Sequence, residues 1–267
     1  MAPRSPIVAL LLLAAACSPV DPSPEGTAAA EEQAAVQEAE PTGDVTRREP
    51  LVHVSIPEKL TEGSGRYPAD WSFDLVVRKA WSVHVHVVPQ GLLVPPHHHP
   101  DNDELVWMAA GEAEWTSWTK AGRQKTSLGT GHLAIAPKGA VHSVRNNQGD
   151  TLAAVVLQRP AFAQNRYLLP EEVSSDLESG PLSKTAPLPE GFLGGWSLEQ
   201  RSVSDEEEID PGPADILYFV LAGSGQIRFE AKTLPLEPGV FVKVPPGLTH
   251  RLRGGETVEV FAVRIPR

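Results

Sequence analysis

Gly91-Leu92-Leu93-Val94-Pro95-Pro96-His97-His98-His99-Pro100-Asp101-Asn102-Asp103-Glu104 carries three adjacent histidines and a carboxylate within fourteen positions of a 267-residue chain. On an extended strand the side chains alternate, so His97 and His99 share one face and His98 takes the other. Glu104 opens the next apolar run with Val106 and Met108 on its own face, an apolar lining beside a polar mouth. His142 follows the turn residues Pro137-Lys138-Gly139, which steer the chain back towards the same place. Two imidazoles on one face, joined by a carboxylate and a third imidazole from neighbouring strands, form a mixed nitrogen and oxygen donor set suited to a divalent ion. The alternative reading is a Pro-rich loop with surface histidines and a solvated Glu104.

Outward from this stretch, residues from Leu51 onward form short alternating runs punctuated by Gly and Pro. Examples are Trp81-Ser82-Val83-His84-Val85-His86 and Phe241-Val242-Lys243-Val244. Period-two alternation in short runs predicts an all-β sandwich or barrel. A repeat is visible within it. Val106-Trp107-Met108-Ala109-Ala110-Gly111 is answered by Tyr218-Phe219-Val220-Leu221-Ala222-Gly223, at an offset of 112 residues. The stretch from Gly131 through Pro137-Lys138-Gly139 to His142 is answered from Gly239 through Pro245-Pro246-Gly247 to His250, at an offset of 108 at the histidine. Two β units of one plan follow from this, at 51–165 and 191–267, joined by a Pro- and Ser-rich linker at 166–190.

The histidine stretch resembles the cupin superfamily, whose first motif is G-x5-H-x-H-x3,4-E-x6-G and whose second is G-x5-P-x-G-x2-H-x3-N. Gly91, His97, His99, Glu104 and Gly111 satisfy the first motif; Gly131, Pro137, Gly139, His142 and Asn146 satisfy the second. The resemblance implies two cupin-type jelly-roll β-barrels in tandem, a bicupin, with His97, His99, Glu104 and His142 as ligands of one divalent metal ion. It leaves the metal open among Fe, Mn, Cu, Ni and Zn. It is close over residues 75–160 and loose over 195–267. In the second unit Ile209, Pro211 and Ile216 stand where the two histidines and the glutamate would be, and only His250 remains. That unit is therefore expected to be metal-free, with His250 a packed or rim residue. His84 and His86 share a face on the strand before the first motif, and either line the barrel beside the metal or lie on an exposed sheet face. Trp107, Trp115 and Trp118 read as packing residues. Arg145 points opposite to His142 and Asn146, away from the expected metal.

Three imidazoles and one carboxylate leave a net positive centre, able to bind a substrate through two oxygens and to stabilise an enolate. Glu104 is the one ligand able to loosen and accept a proton, which gives it a general-base role as well. The resemblance implies a dioxygenase-like, metal-dependent oxidoreductase acting on a small oxygen-chelating substrate. A non-redox isomerase or decarboxylase, or a non-catalytic module that binds a small ligand or metal, shares the same fold and remains open.

The amino terminus reads as an export signal: Arg4, then the apolar run Ile7 to Ala16. Leu13-Ala14-Ala15-Ala16-Cys17 resembles a bacterial lipobox, which implies acylation of Cys17 and a membrane anchor in the cell envelope. The alternative is ordinary cleavage after Ala16, leaving a free thiol. Cys17 is the only cysteine, so no disulfide forms within the chain. Residues 18–50 are rich in Ala, Glu and Pro and are expected to form a disordered tether. The formal net charge of −11 argues against a nucleic-acid partner. A small molecule is the expected partner, and two barrels that can pair within one chain make a monomer sufficient.

Overall fold

A computed structural model describes residues 50–62, 71–147, 151–161, 165–168, 179–182 and 189–267. The export-signal segment, Cys17 and the tether as far as residue 49 lie outside the described residues. Residues 48–267 form one compact unit. The described chain is almost wholly β-structure, with one short α-helix, α1 (Ile56–Glu62), and a single 3-10 turn at Phe192–Gly194.

The first barrel is made from β2 (Trp71–Val77), β3 (Ser82–Val88), β4 (Leu93–His98), β5 (Asp103–Ala110), β6 (Glu112–Thr119), β7 (Gly122–Gly129), β8 (Leu133–Ala136), β9 (Val141–Arg145) and β10 (Leu152–Arg159). Two short strands, β11 (Arg166–Tyr167) and β12 (Gly180–Pro181), are added at its edges. They fall in the stretch expected to be a linker, so that stretch contributes edge pairing to the first barrel. The strands form a six-stranded sheet in the order β12-β8-β5-β10-β3-β2 and a five-stranded sheet in the order β11-β4-β9-β6-β7. Val106, Met108, Ala134, Ala154 and Val156 of the first sheet pack against Ala113, Trp115, Leu128 and Val144 of the second. This is the barrel interior.

The second barrel uses β1 (Val52–Ser55), β13 (Ser197–Val203), β14 (Glu207–Ile209), β15 (Asp215–Phe229), β16 (Lys232–Leu236), β17 (Val240–Val244) and β18 (His250–Ile265). Its interior is filled by Ile216, Tyr218, Val220, Val242, Val244, Leu252 and Val260, among others. The expected boundary at residue 51 needs correction, because β1 pairs antiparallel with β17 and belongs to the second barrel's sheet. Its alternating pattern fits either sheet, and pairing partners are not encoded in periodicity.

The continuous apolar runs of β5 and β15 have a common cause. Each strand buries both faces, one into its own barrel and one between the barrels. Leu105, Trp107 and Ala109 of β5 meet Leu217, Phe219 and Leu221 of β15 in a shared core, with Val83, Val85, Val155 and Leu157 beside them. Trp107 and Phe219 occupy the same place in the repeat and touch edge to face, with ring centroids 5.4 Å apart. A buried side chain of this size contributes roughly 1.5–3 kcal/mol. Left alone, either barrel would expose an apolar patch larger than a soluble monomer usually carries.

The repeat is symmetric in its closest contacts. Gly131 donates its N–H to the Met108 carbonyl at 2.8 Å, and Gly239 donates to Val220 at 3.2 Å, the equivalent position. Gly131 has φ +85°, and a Cβ there would lie 2.5 Å from the Leu221 carbonyl oxygen of the other barrel. Gly247 has φ +72° with nothing within 4 Å of its missing Cβ. Gly247→Ala is therefore expected to cost only the left-handed penalty, ~1–2 kcal/mol. Gly131→Ala should cost about 1–3 kcal/mol more, through overpacking between the barrels. Urea unfolding of both variants checks this; equal losses would mean that the barrels do not meet closely at Gly131.

Candidate metal centre

The four residues singled out in the sequence come together at one end of the first barrel's interior. Pairing of β4 with β9 sets His97 opposite His142, and β9 pairs with β6 so that Ser117 lies on the other side of His142. Glu104 enters from the opposite sheet, on β5 between Ala136 of β8 and Gln158 of β10. His99 follows β4 directly. All four are buried, between 1% and 6% exposed.

One ring nitrogen each of His97, His99 and His142 lies within 4.8 Å of the others. Glu104 meets the group through Oε2, 2.5 Å from His99 Nε2, and through Oε1, 3.8 Å from His142 Nε2. Gln158 Nε2 donates to Glu104 Oε2 at 3.3 Å. His97 Nδ1 lies 2.8 Å from the Pro95 carbonyl and His142 Nδ1 lies 3.2 Å from that of Ala140. A carbonyl can only accept, so each Nδ1 carries the proton and donates it, and each Nε2 is left with its lone pair. Trp115 stacks on His142, planes 3° apart and centroids separated by 4.9 Å, which fixes the ring plane. Backbone acceptors and packing that hold a ring in this way are the usual outer support of a metal-binding imidazole.

Electrostatics favour the same state. Burial, followed by the neighbouring His97, lowers the His142 imidazole to about 3, against the opposing pull of Glu104. Burial lowers His97 as well. Burial alone would raise the Glu104 carboxyl, but ion pairing and hydrogen bonding with His99, then the imidazoles of His142 and His97, hold it well below the usual carboxylate range. The neutral imidazoles of His97 and His142 beside an ionised carboxylate, with His99 able to release its proton to an incoming cation, form a donor set a divalent ion takes, so the residues present fit such an ion.

His98 sits on the opposite face of β4, half-buried and paired with Arg166, outside this group. His86 borders the cavity of the histidine group while remaining exposed, and His84 beside it is half-buried. Their rings contact one another edge to face with centroids 4.7 Å apart, and burial lowers both imidazoles, His84 to about 4. His86 opens onto a cavity of about 70 Å³ shared with the histidine group, walled by Val88, Val94, Val106, Val144, Ala154 and Val156. Gln158 and Asn165 also reach this cavity, and the Tyr167 ring lies 5.7 Å from His97. Sequence reading missed these three. Gln158 had a signal, being the polar end of the inward row Ala154, Val156, Gln158; Asn165 and Tyr167 had none.

The second barrel shows what replaced the donor set. Ile209 pairs with His250 as His97 pairs with His142, and Ile216 pairs with Val244 as Glu104 pairs with Ala136. His250 Nδ1 faces the Leu248 carbonyl at 3.1 Å, and its Nε2 lies 2.8 Å from the Tyr218 hydroxyl. Tyr218 stands where the first barrel has Val106, so a phenol donates to the lone pair that in His142 faces the other histidines.

These shifts set a pH dependence for the metal-stripped protein. The unfolded chain protonates a histidine near 6.5, whereas folded His142 stays neutral to about 3. Acid therefore favours the unfolded state throughout that window, at about 1.4 kcal/mol per pH unit for each such group. Urea midpoints of the stripped protein should fall more steeply between pH 6.5 and 5 than those of His142→Asn. Identical slopes would show that His142 is not buried as a neutral ring.

Comparison with known proteins agrees with this geometry. Residues 83–157 match the family model described as a cupin domain. No significant match to the sequence was found among curated proteins. Among solved structures, the chain is similar to salicylate 1,2-dioxygenase from Pseudoaminobacter salicylatoxidans, crystallised with gentisate, with a TM-score of 0.56 and 12% identity over 83% of each chain. It is also similar to a cupin 2 conserved barrel protein from Leptotrichia buccalis, with a TM-score of 0.55 and 11% identity over 80% of this chain and 95% of that one. A third similarity is to Ylba from E. coli, with a TM-score of 0.55 and 13% identity over 84% and 96%. At such identities the likeness is one of fold. The motif-bearing segment 83–157 matches a cupin domain, and the two barrels share the fold of solved cupin proteins.

Proposed function

We propose that the chain is a metal-dependent, dioxygenase-like oxidoreductase acting on a small oxygen-chelating substrate in the first barrel. The observation that carries the reading is the convergence of His97, His99 and His142 on one point at a valine-lined cavity. With Glu104 they would hold one divalent ion. Such an ion supplies Lewis acidity to substrate oxygens and, where it is iron, manganese, copper or nickel, electron transfer to dioxygen.

Everything else falls to the chain's own side chains. The valine walls give the buried donor set an apolar surround. Gln158 holds the Glu104 carboxylate in place by hydrogen bonding to Oε2. With its carboxyl held so low, Glu104 is a poor base, and we assign it to holding the ion rather than moving a proton. His86 is neutral at pH 7, faces the cavity and can accept a proton at its ring nitrogen. The narrow inner part of the cavity, about 70 Å³, suits an oxo or enolic acid of a few carbons.

The neutral His86 beside the donor set also favours a second reading, a non-redox isomerase in which His86 moves a proton and the ion is zinc. Elemental analysis of protein purified without chelators separates the two: one equivalent of a redox-active metal supports the first, one of zinc the second. In either case His97→Ala/His99→Ala should lose the metal, and retention of one equivalent would sink the assignment. Oxygen uptake should occur with small oxo or enolic acids, and its absence with all of them would overturn the first reading. His86→Gln should lower that rate about 100-fold with metal content unchanged.

We also propose that the protein is exported and anchored in the cell envelope through acylated Cys17, the signal-like run before it supplying the motive. Labelled palmitate should be incorporated into the full-length chain expressed in a Gram-negative host and not into Cys17→Ser. Equal labelling of both would end this part of the reading.

A further inference from the structure

The outer face of the five-stranded sheet, turned away from His97 and His142, is hollowed into a cleft of about 390 Å³. At its floor β6 and β9 place Thr116 directly opposite Ser143. These side chains are only 4% and 3% exposed, and among the described residues neither hydroxyl has a hydrogen-bond partner. Both hydroxyls open into the cleft, where each can donate to and accept from a ligand.

The surroundings specify what would bring them. Arg123, Lys125 and Arg145 lie on the cleft together with one carboxylate, Glu114. Glu114 is engaged by Lys125 at 2.6 Å, which leaves two exposed guanidinium groups with no ion-pair partner among the described residues. On a chain of net charge −11, such a concentration of positive charge runs against the average. Guanidinium groups match carboxylate and phosphate oxygens in pairs. The Trp118 indole forms a half-buried wall between the two sets of groups and offers a flat apolar surface.

We propose that this cleft binds an anionic saccharide. Its ring hydroxyls bond Thr116 and Ser143, one ring face lies on Trp118, and its acidic group is held by Arg123 and Arg145. An aromatic or aliphatic acid would satisfy the arginines but leave both hydroxyls unpaired. A neutral sugar would do the reverse. A volume of 390 Å³ accepts one or two sugar rings.

Calorimetric titration of the full chain with glucuronate, glucose 6-phosphate, glucose, inorganic phosphate and benzoate tests the assignment. At least one of the two acidic sugars should bind about tenfold or more tightly than glucose, phosphate or benzoate, and the tighter one identifies the acidic group. Arg123→Gln/Arg145→Gln and, separately, Thr116→Val should each weaken that binding about tenfold or more, with melting temperature and metal content unchanged. The proposal is overturned if neither acidic sugar binds, if phosphate or benzoate binds equally well, or if the variants bind as the parent does. Because metal content is read alongside, a failure here leaves the assignment of the histidines standing or falling separately.

Discussion

A single extra residue in β4 puts the histidines inside the barrel. Val94 pairs with Val144, and two residues further a regular ladder would bring Pro96 opposite His142. Instead His97 stands there, because the register shifts between Val94 and His97. Val94 and His97, which an unbroken strand would turn to opposite faces, both line the cavity as a result. The shifted segment is Pro95-Pro96, and proline supplies no N–H to a ladder, so a bulge there sacrifices little pairing. Without it His97 would face solvent and Pro96 the interior. The Pro95 carbonyl, released from the ladder, accepts the Nδ1 proton of His97. One irregularity therefore sets the face, the partner strand and the tautomer of a candidate ligand.

The two barrels show how the same strand positions diverge once the donor set is dismantled. In the first, Val106 lies beside the histidine cluster and leaves room for a cavity. In the second, the equivalent Tyr218 fills that space and donates to His250. A buried imidazole nitrogen without a partner is costly, so a histidine that survives loss of the other ligands requires a replacement, and a phenol at the inward position supplies it. Burial raises the Tyr218 hydroxyl well above its ordinary value, which keeps it a donor at any ordinary pH. What the second barrel contributes is its outer face, which covers Leu105, Trp107 and their neighbours.

The sequence was most legible where spacing and chemistry coincided. His97, His99, Glu104 and His142 were found from strand alternation and turn residues, and the repeat offsets of 112 and 108 align Ile209 with His97 and His250 with His142 in the actual strand pairing. Strand identity was less legible. Val52–Ser55 alternates correctly for either barrel and joined the second; part of the linker stretch returned as edge strands because two-residue pairings leave no periodic trace. Alternation also failed to show when both faces are buried. Lys243 lies in a regular run and would be placed towards water, yet it is 1% exposed and pairs with Asp215 at 3.0 Å. For His84 and His86 alternation gave the shared face without saying which way it pointed.

The division of labour between the sheets follows from that double burial. The six-stranded sheet is covered on both sides, so nearly every position of β3, β5 and β10 that does not face the metal group is apolar and committed to holding the barrels together. On these three strands His86, Glu104 and Gln158 are polar at the cavity, with Ser82, Asp103 and Arg159 at the strand ends. The five-stranded sheet has its outer face in water, and its outward positions are under no demand to be apolar. Thr116 and Ser143 stand there, one residue along from the inward Trp115 and His142, with Arg123 and Arg145 on the same face. A chain with one barrel would have two such faces and would have to keep both soluble. Joining two barrels through one sheet of each leaves the opposite sheet free, with an inner face that can gather ligands and an outer face that can evolve recognition without disturbing them.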